Sequence, residues 1–288
     1  MGMNMKRIFA ATATAAALIG TPAFAADMAV KAPPASTPAC IWCGWYVGAN
    51  AGWVDRDGGQ VVGTPVANEG AFGAPLYVGP SAAGATGSLN RGIGFIGGVQ
   101  AGYNWQANAN WVLGWEADID GASLRGGTNT AALTTVPAFP TFPLSSSINA
   151  SQRLDYFGTL RARVGFVPTS PLMIYGTAGL AYGRPTANVT VNEQIAGPAG
   201  CVAVCTPVGL TLNSSSLRAG WTAGGGVEWM FAPKWSVKAE ALYYDLGHTT
   251  AAGTLAIPDV GTNFVVTGVQ YTSHVQGAIA RGGINLHF

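Results

Sequence analysis

Between Trp235 and Tyr243 every second residue (Trp235, Val237, Ala239, Ala241, Tyr243) is uncharged and apolar, while Lys238 and Glu240 hold the other parity. Successive side chains of a strand point to opposite faces, so a period of two makes a ribbon with one greasy and one polar side. The pattern recurs along the chain. Phe95, Gly97, Val99, Ala101, Tyr103 and Trp105 share a charge-free parity, as do Trp111, Leu113, Trp115, Ala117 and Ile119. So do Tyr156, Leu160, Ala162, Val164 and Phe166, and Trp221, Ala223, Val227, Trp229 and Phe231. The opposite parity gathers Gln100, Glu116, Asp118, Arg161, Arg163, Glu228, Lys238, Glu240 and Arg281, with Asp120, Asp155 and Arg218 on it nearer the segment ends. Segment 273–288 alternates too, Phe288, Leu286 and Ile284 against His287, Asn285 and Arg281, and stops on the aromatic. A final amphipathic strand suits a barrel that closes on itself and has no edge to protect.

Composition narrows the setting. Only 9% of residues are charged, against about 25% in soluble domains. Mean hydropathy is +0.27, yet beyond the amino terminus no run approaches a membrane-spanning helix. Alternation dilutes hydrophobicity along each strand in just this way in membrane barrels. At the amino terminus, Met5-Lys6-Arg7, an apolar Ala-rich run over 8–20 and Ala23-Phe24-Ala25 follow the order of a secretory signal peptide. Residues 1–25 are therefore expected to be removed, taking Lys6 and Arg7 and moving the formal charge from +1 to −1. Neither value argues for a nucleic-acid partner. Residues 26–44, with Pro33, Pro34 and Pro38, read as a periplasmic linker, and 45–288 as the barrel.

Eight strand-like segments are expected, over 45–55, 93–105, 111–121, 154–166, 172–183, 217–231, 235–246 and 273–288. Their connections alternate: 106–110, 167–171 and 232–234 are short, whereas 56–92, 122–153, 184–216 and 247–272 are long and rich in Gly, Thr, Ser, Asn, Ala and Pro. The implied fold is all-β, an eight-stranded antiparallel up-and-down transmembrane β-barrel with four long extracellular loops and short periplasmic turns. Trp45, Trp105, Trp111, Phe166, Phe231, Trp235 and Phe288 fall at the short-turn ends; Trp53, Phe95, Tyr156, Tyr182, Trp221 and Tyr243 fall toward the loops. Two such rings frame a hydrocarbon band. A barrel of this size is only wide enough for side chains to fill it, so Glu116, Asp118, Arg161, Arg163, Glu228, Lys238, Glu240 and Arg281 must pair inside. A neutralised plug is favoured over a narrow gated conduit.

Cys40 and Cys43 stand in Cys-Ile-Trp-Cys, and Cys201 and Cys205 in the third long loop. In an exported chain these are candidate disulfides with three connectivities, local pairing being favoured because a barrel holds the two clusters at opposite ends. A redox or zinc role for the Cys-x-x-Cys spacing is the alternative. No cofactor or metal is expected. Ser273 and His274 with Glu240 or Asp245 form the one arrangement worth testing as a catalytic triad, though nothing in their spacing makes them converge.

Four segments carry a family resemblance: Gly44-Trp45-Tyr46-Val47-Gly48; Asp155-Tyr156-Phe157-Gly158-Thr159-Leu160-Arg161-Ala162-Arg163-Val164-Gly165; Gly220-Trp221-Thr222-Ala223-Gly224-Gly225-Gly226-Val227-Glu228; and Trp235-Ser236-Val237-Lys238-Ala239-Glu240-Ala241-Leu242-Tyr243-Tyr244-Asp245-Leu246-Gly247. Together with Ala26-Asp27-Met28-Ala29-Val30-Lys31-Ala32-Pro33, the chain resembles the outer-membrane immunogenic proteins of Gram-negative bacteria. The resemblance implies an OmpA-type barrel in the outer membrane, with porin-like behaviour often attributed to the family and without the peptidoglycan-binding domain of OmpA itself. It also implies that Phe288 serves as the assembly signal read by the barrel-assembly machinery. Expected partners are thus outer-membrane lipid, that machinery, and extracellular contacts through the loops. A structural or surface-contact role stands first, a small porin-like channel second, and an outer-membrane hydrolase or a soluble lipocalin-like barrel behind them.

Overall fold

The computed structural model describes residues 40–69, 87–136, 139–195, 208–258 and 264–288. They belong to one compact unit, Cys40–Phe288. The strands in chain order are β1 (Gly44–Arg56), β2 (Gly59–Glu69), β3 (Gly87–Leu89), β4 (Gly92–Gln106), β5 (Trp111–Val136), β6 (Phe139–Thr169), β7 (Leu172–Ile195), β8 (Val208–Ser215), β9 (Arg218–Ala232), β10 (Trp235–Pro258) and β11 (Phe264–His287). Eight of them, β1, β4, β5, β6, β7, β9, β10 and β11, pair each with the next, and β11 pairs back onto β1 through Tyr46↔His287 to Arg56↔Gly277. Every pairing is antiparallel, so the sheet closes as an up-and-down barrel with no free edge at this level.

The short connections are tight turns. Asn108 Oδ1 accepts from the N–H groups of Asn110 and Trp111 (3.0 Å each), an Asx turn that starts β5. Between β9 and β10, Lys234 adopts a left-handed φ of 72°. The opposite end differs from the expectation of long loops. Within the expected 122–153 loop the ladder between β5 and β6 continues from Leu124↔Leu154 to Val136↔Phe139. β7 and β10 also run on beyond their expected ends, β8 adds to β7, and β2 adds to β11. Gly- and Thr-rich sequence without clean alternation hid these extensions, because the backbone ladder needs no hydrophobic stripe to form. Above the barrel they share a small core of Val61, Leu89, Ile148, Val189, Val191, Leu212 and Tyr271.

Around the outside, Val47, Val99, Ile119, Leu160, Val164, Ile174, Leu180, Val227, Val237 and Ile284 are exposed in a belt. At the short-turn end Trp45, Trp105, Trp111, Phe166, Phe231, Trp235 and Phe288 are exposed, and toward the loops Trp53, Phe95, Trp221 and Tyr243 are. An apolar band flanked by aromatics is the surface of a protein solvated by lipid. Among the described residues no helix is long and apolar enough to cross a membrane; the crossing is made by strands.

Candidate functional site

The interior is where this chain concentrates its chemistry. The alternation of β5 directs Glu116, Asp118 and Asp120 inward, β6 contributes Arg161 and Arg163, β9 Glu228, β10 Lys238 and Glu240, and β11 Arg281; all are buried. Arg161 Nη2 lies 2.5 Å from Glu116 and 3.0 Å from Asp118, and its Nη1 is 3.2 Å from Glu240. Arg281 reaches Glu240 through Nε (2.6 Å), Asp120 through Nη1 (2.6 Å) and Asp118 through Nη2 (2.7 Å). Lys238 Nζ sits 2.7 Å from Glu116 and 3.6 Å from Glu240, and Arg163 pairs with Glu228. All eight charged residues expected inside thus lie in one connected lattice spanning the lumen.

Neutral groups complete it. Tyr46 Oη donates to Glu116 (2.8 Å), Tyr175 Oη to Glu240 (3.0 Å) and Thr159 Oγ1 to Asp118 (2.6 Å). The Arg163 guanidinium also lies 3.8 Å from the centre of the Tyr175 ring. Toward the short-turn end, Glu228 accepts from Ser236 Oγ (2.5 Å) and Asn285 Nδ2 (2.8 Å), and His287 Nε2 is 2.9 Å from Ser236 Oγ. Gly226 makes room, since a Cβ there would stand 2.8 Å from both Glu240 Cβ and Tyr175 Oη. Charges in so low a dielectric are tolerated only with their remaining hydrogen-bonding capacity largely met, and this shell meets most of it. Tyr46, Tyr175, Thr159, Ser236 and His287 were not singled out as site residues from sequence. Shared parity with the charges was the available signal for Thr159, Ser236 and His287; segments 45–55 and 172–183 carry no charge on the parity of Tyr46 or Tyr175.

Asp120, on the interior parity nearer the segment end, is buried as that parity predicts and is bound to Arg281; one residue departs from the parity reading. Asp155, expected to follow the interior parity, is exposed and 3.3 Å from Arg153 Nε. The register of β6 shifts between Leu154 and Phe157, which turns Phe157 inward and releases Asp155 outward.

Apolar layers close the lattice above and below. On the loop side Val54, Ile96, Leu154, Phe157, Leu242, Tyr244 and Ile279 fill the cross-section. Above them Arg56 donates to Gln152 Oε1 (2.6 Å) and to the Asn90 carbonyl (3.1 Å). At the short-turn mouth Trp42 is fully buried against Val112, Val167 and Met173, donates to the Ser170 carbonyl (3.3 Å) and lies edge-on to His287. A Cys40–Cys43 disulfide closes the loop that carries it. The end of the expected 26–44 linker therefore belongs to the barrel mouth, a correction forced by the burial of Trp42; residues 26–39, the signal segment, Cys201 and Cys205 lie outside the described residues.

The Ser-His-acid arrangement is not assembled. His274 Nε2 is 2.9 Å from Asp245 Oδ1, but Ser273 points inward, its Oγ without a hydrogen-bond partner, while His274 points outward and stacks on His248. Neighbours on a strand face opposite ways, so these two cannot meet. Among the described residues no cluster of His, Cys, Asp or Glu is arranged to hold a metal ion. Phe288 lies at the β1 junction, its N–H donating to the Trp45 carbonyl (2.9 Å) with the ring exposed.

A closed antiparallel ring, a lipid-facing apolar belt between aromatic girdles and a polar interior define an integral outer-membrane β-barrel. The chain belongs to the outer membrane protein β-barrel domain family, whose model matches residues 11–272. The 31 kDa outer-membrane immunogenic proteins of Brucella melitensis and Brucella suis are each 32% identical over 283 residues, covering 96% of this chain and 98% of theirs. Among solved structures, OprG from Pseudomonas aeruginosa is similar at 13% identity, over 85% of this chain and 97% of that one, with a TM-score of 0.37. The family model and the Brucella relatives bear out the expected family and outer-membrane location, and the closed ring of strands bears out the expected fold.

Proposed function

We propose that this protein is a non-conducting, non-enzymatic barrel that anchors β-hairpin loops at the cell surface and serves envelope structure or surface contact. The observation that carries this reading is the lattice across the lumen. Arg161 and Arg281, both nearly inaccessible, together contact acids from β5 and β10, so the ion pairs run from wall to wall rather than along it. A hydrated path would have to break several of them at once, then pass the Phe157–Tyr244 layer, whose rings are 5.2 Å apart, and Trp42. Loops built as paired strands with their own core support a display role, since they present fixed surfaces.

A small porin is the second reading, supported by the charged character of the lumen. Planar-bilayer recordings separate the two. Purified wild-type protein is expected to give no reproducible steps, whereas Arg161→Ala/Arg281→Ala combined with Trp42→Ala is expected to produce them. Regular, saturating steps from the wild type would overturn the closed-barrel reading.

A further inference from the structure

Beyond the lumen, the outer wall at the base of the β5–β6 hairpin carries an unusual group of cations. Arg125 and Arg153 are direct cross-strand partners, and both side chains are exposed on the outward face. Like charges in that position repel. Arg153 pairs with Asp155 at 3.3 Å, a half-exposed contact of small worth; Arg125 has no ion pair among the described residues. Between them opens a groove of about 490 Å³ lined by Arg125, Gly126, Gly127, Ser151, Gln152 and Arg153.

Behind the groove stands a third guanidinium. Arg56 is buried, bonds only neutral oxygens and has no ion pair among the described residues. A Cβ at Gly126 would lie 2.6 Å from its Nη2, so the missing side chain lets this cation stand close behind the wall. Gln152, buried on the same inner face, holds Arg56 there by accepting from it through Oε1. Arg125 and Arg153 thus stand outside this stretch of wall and Arg56 directly behind it, three guanidinium groups of which only Arg153 has an ion pair among the described residues. That combination calls for an oxyanion, and the arginine fork matches phosphate.

Depth identifies which one. The Phe95 N–H donates to Ser123 Oγ (3.0 Å), which sets the exposed girdle residue Phe95 level with Ser123 of β5. Arg125 follows two residues later, about 7 Å along the strand and roughly 5 Å higher once strand tilt is allowed for. The headgroup zone above the hydrocarbon core is about 5–7 Å deep. We propose that this groove is a phosphate site for the headgroup of an outer-leaflet lipid, docking the barrel to its surrounding membrane at a defined position.

Full-length protein folded in non-ionic detergent provides the test, by native mass spectrometry with three probes: bis-phosphorylated lipid A, the same lipid with both phosphates removed, and inorganic phosphate. Wild-type protein is expected to retain the phosphorylated lipid at least about ten-fold better than the dephosphorylated one. Arg125→Gln/Arg153→Gln, checked for heat-modifiable migration, is expected to lose that preference, and Arg125→Lys, which keeps charge but not the fork, to lose part of it. Equal retention of the two lipids by wild type, or an undiminished preference in the double variant, would refute the site. Saturation by millimolar inorganic phosphate with the same arginine dependence would overturn the lipid as its occupant.

Discussion

Arg281 offers the sharpest test of the interior lattice. Its guanidinium donates to three carboxylates, Glu240, Asp120 and Asp118, at 2.6, 2.6 and 2.7 Å. Asp118 and Glu240 also have Arg161, but Asp120 has no second cation among the described residues. The lattice holds Glu116, Asp118, Asp120, Glu228 and Glu240 against Arg161, Arg163, Lys238 and Arg281, one acid in excess. Arg281→Met keeps most of the volume and removes the charge. Truncating one partner of a buried ion pair typically costs about 3–5 kcal/mol, because the other is left buried without compensation. Three acceptors lose a donor here, yet two retain Arg161, so the expected loss stays in that range rather than tripling. Asp120→Asn should behave differently. It removes the surplus charge and leaves Arg281 a neutral acceptor, with an expected change within about 1 kcal/mol. In the Arg281→Met background it should restore about 1–3 kcal/mol, the coupling expected of direct neighbours. Guanidinium unfolding of protein inserted in lipid vesicles, followed by tryptophan emission, measures all four corners of the cycle. A loss below about 1 kcal/mol for Arg281→Met, or no rescue by Asp120→Asn, would refute a lattice held by mutual compensation.

Trp42→Ala should lower stability by about 3–5 kcal/mol, the usual cost of emptying a large buried aromatic site, read from the same unfolding curves. Replacing Cys40 and Cys43 by Ser should cost less, about 2 kcal/mol for so short a closed loop, and dithiothreitol on the wild type should reproduce it. Deleting Phe288 should separate assembly from stability. Its exposed ring packs little and one backbone hydrogen bond is lost, so refolded protein should be destabilised by no more than about 1.5 kcal/mol, while the amount inserted into outer membranes in cells falls several-fold. Unchanged insertion would remove Phe288 from any assembly role.

What the sequence made legible was whatever a period of two encodes. Glu116, Asp118, Arg161, Arg163, Glu228, Lys238, Glu240 and Arg281 could be assigned to one face because each shares its strand's polar parity, which within the expected segments holding them only Asp245, at the end of 235–246, breaks. Asp155 could not, since the register shift in β6 reverses parity over two residues that carry neither Gly nor Pro to mark it. The apolar layer of Ile96, Leu242, Tyr244 and Ile279 was hidden for another reason: hydrophobicity does not distinguish a residue facing lipid from one facing a dry lumen. Only their shared parity with Gln100, Glu240 and Arg281 gives them away.

That hidden layer changes how the charged lattice should be understood. Facing open water, its ion pairs would be screened and worth little; facing hydrocarbon, they would be too costly to bury. Between the Phe157–Tyr244 layer and the Trp42 mouth they meet neither condition. Their Coulomb attraction is barely screened, while tyrosine, threonine, serine and asparagine groups satisfy many of the remaining lone pairs. The sheet alone fixes which residues face inward, but a ring of strands bears no preference for one interior arrangement. The lattice supplies it, because each guanidinium reaches acids on non-adjacent strands and a slip of one residue in any of them would turn its charges toward lipid. Interior ion pairs in this barrel thus act first as a register lock, and the same cross-lumen geometry that fixes register is what the closed-barrel proposal rests on.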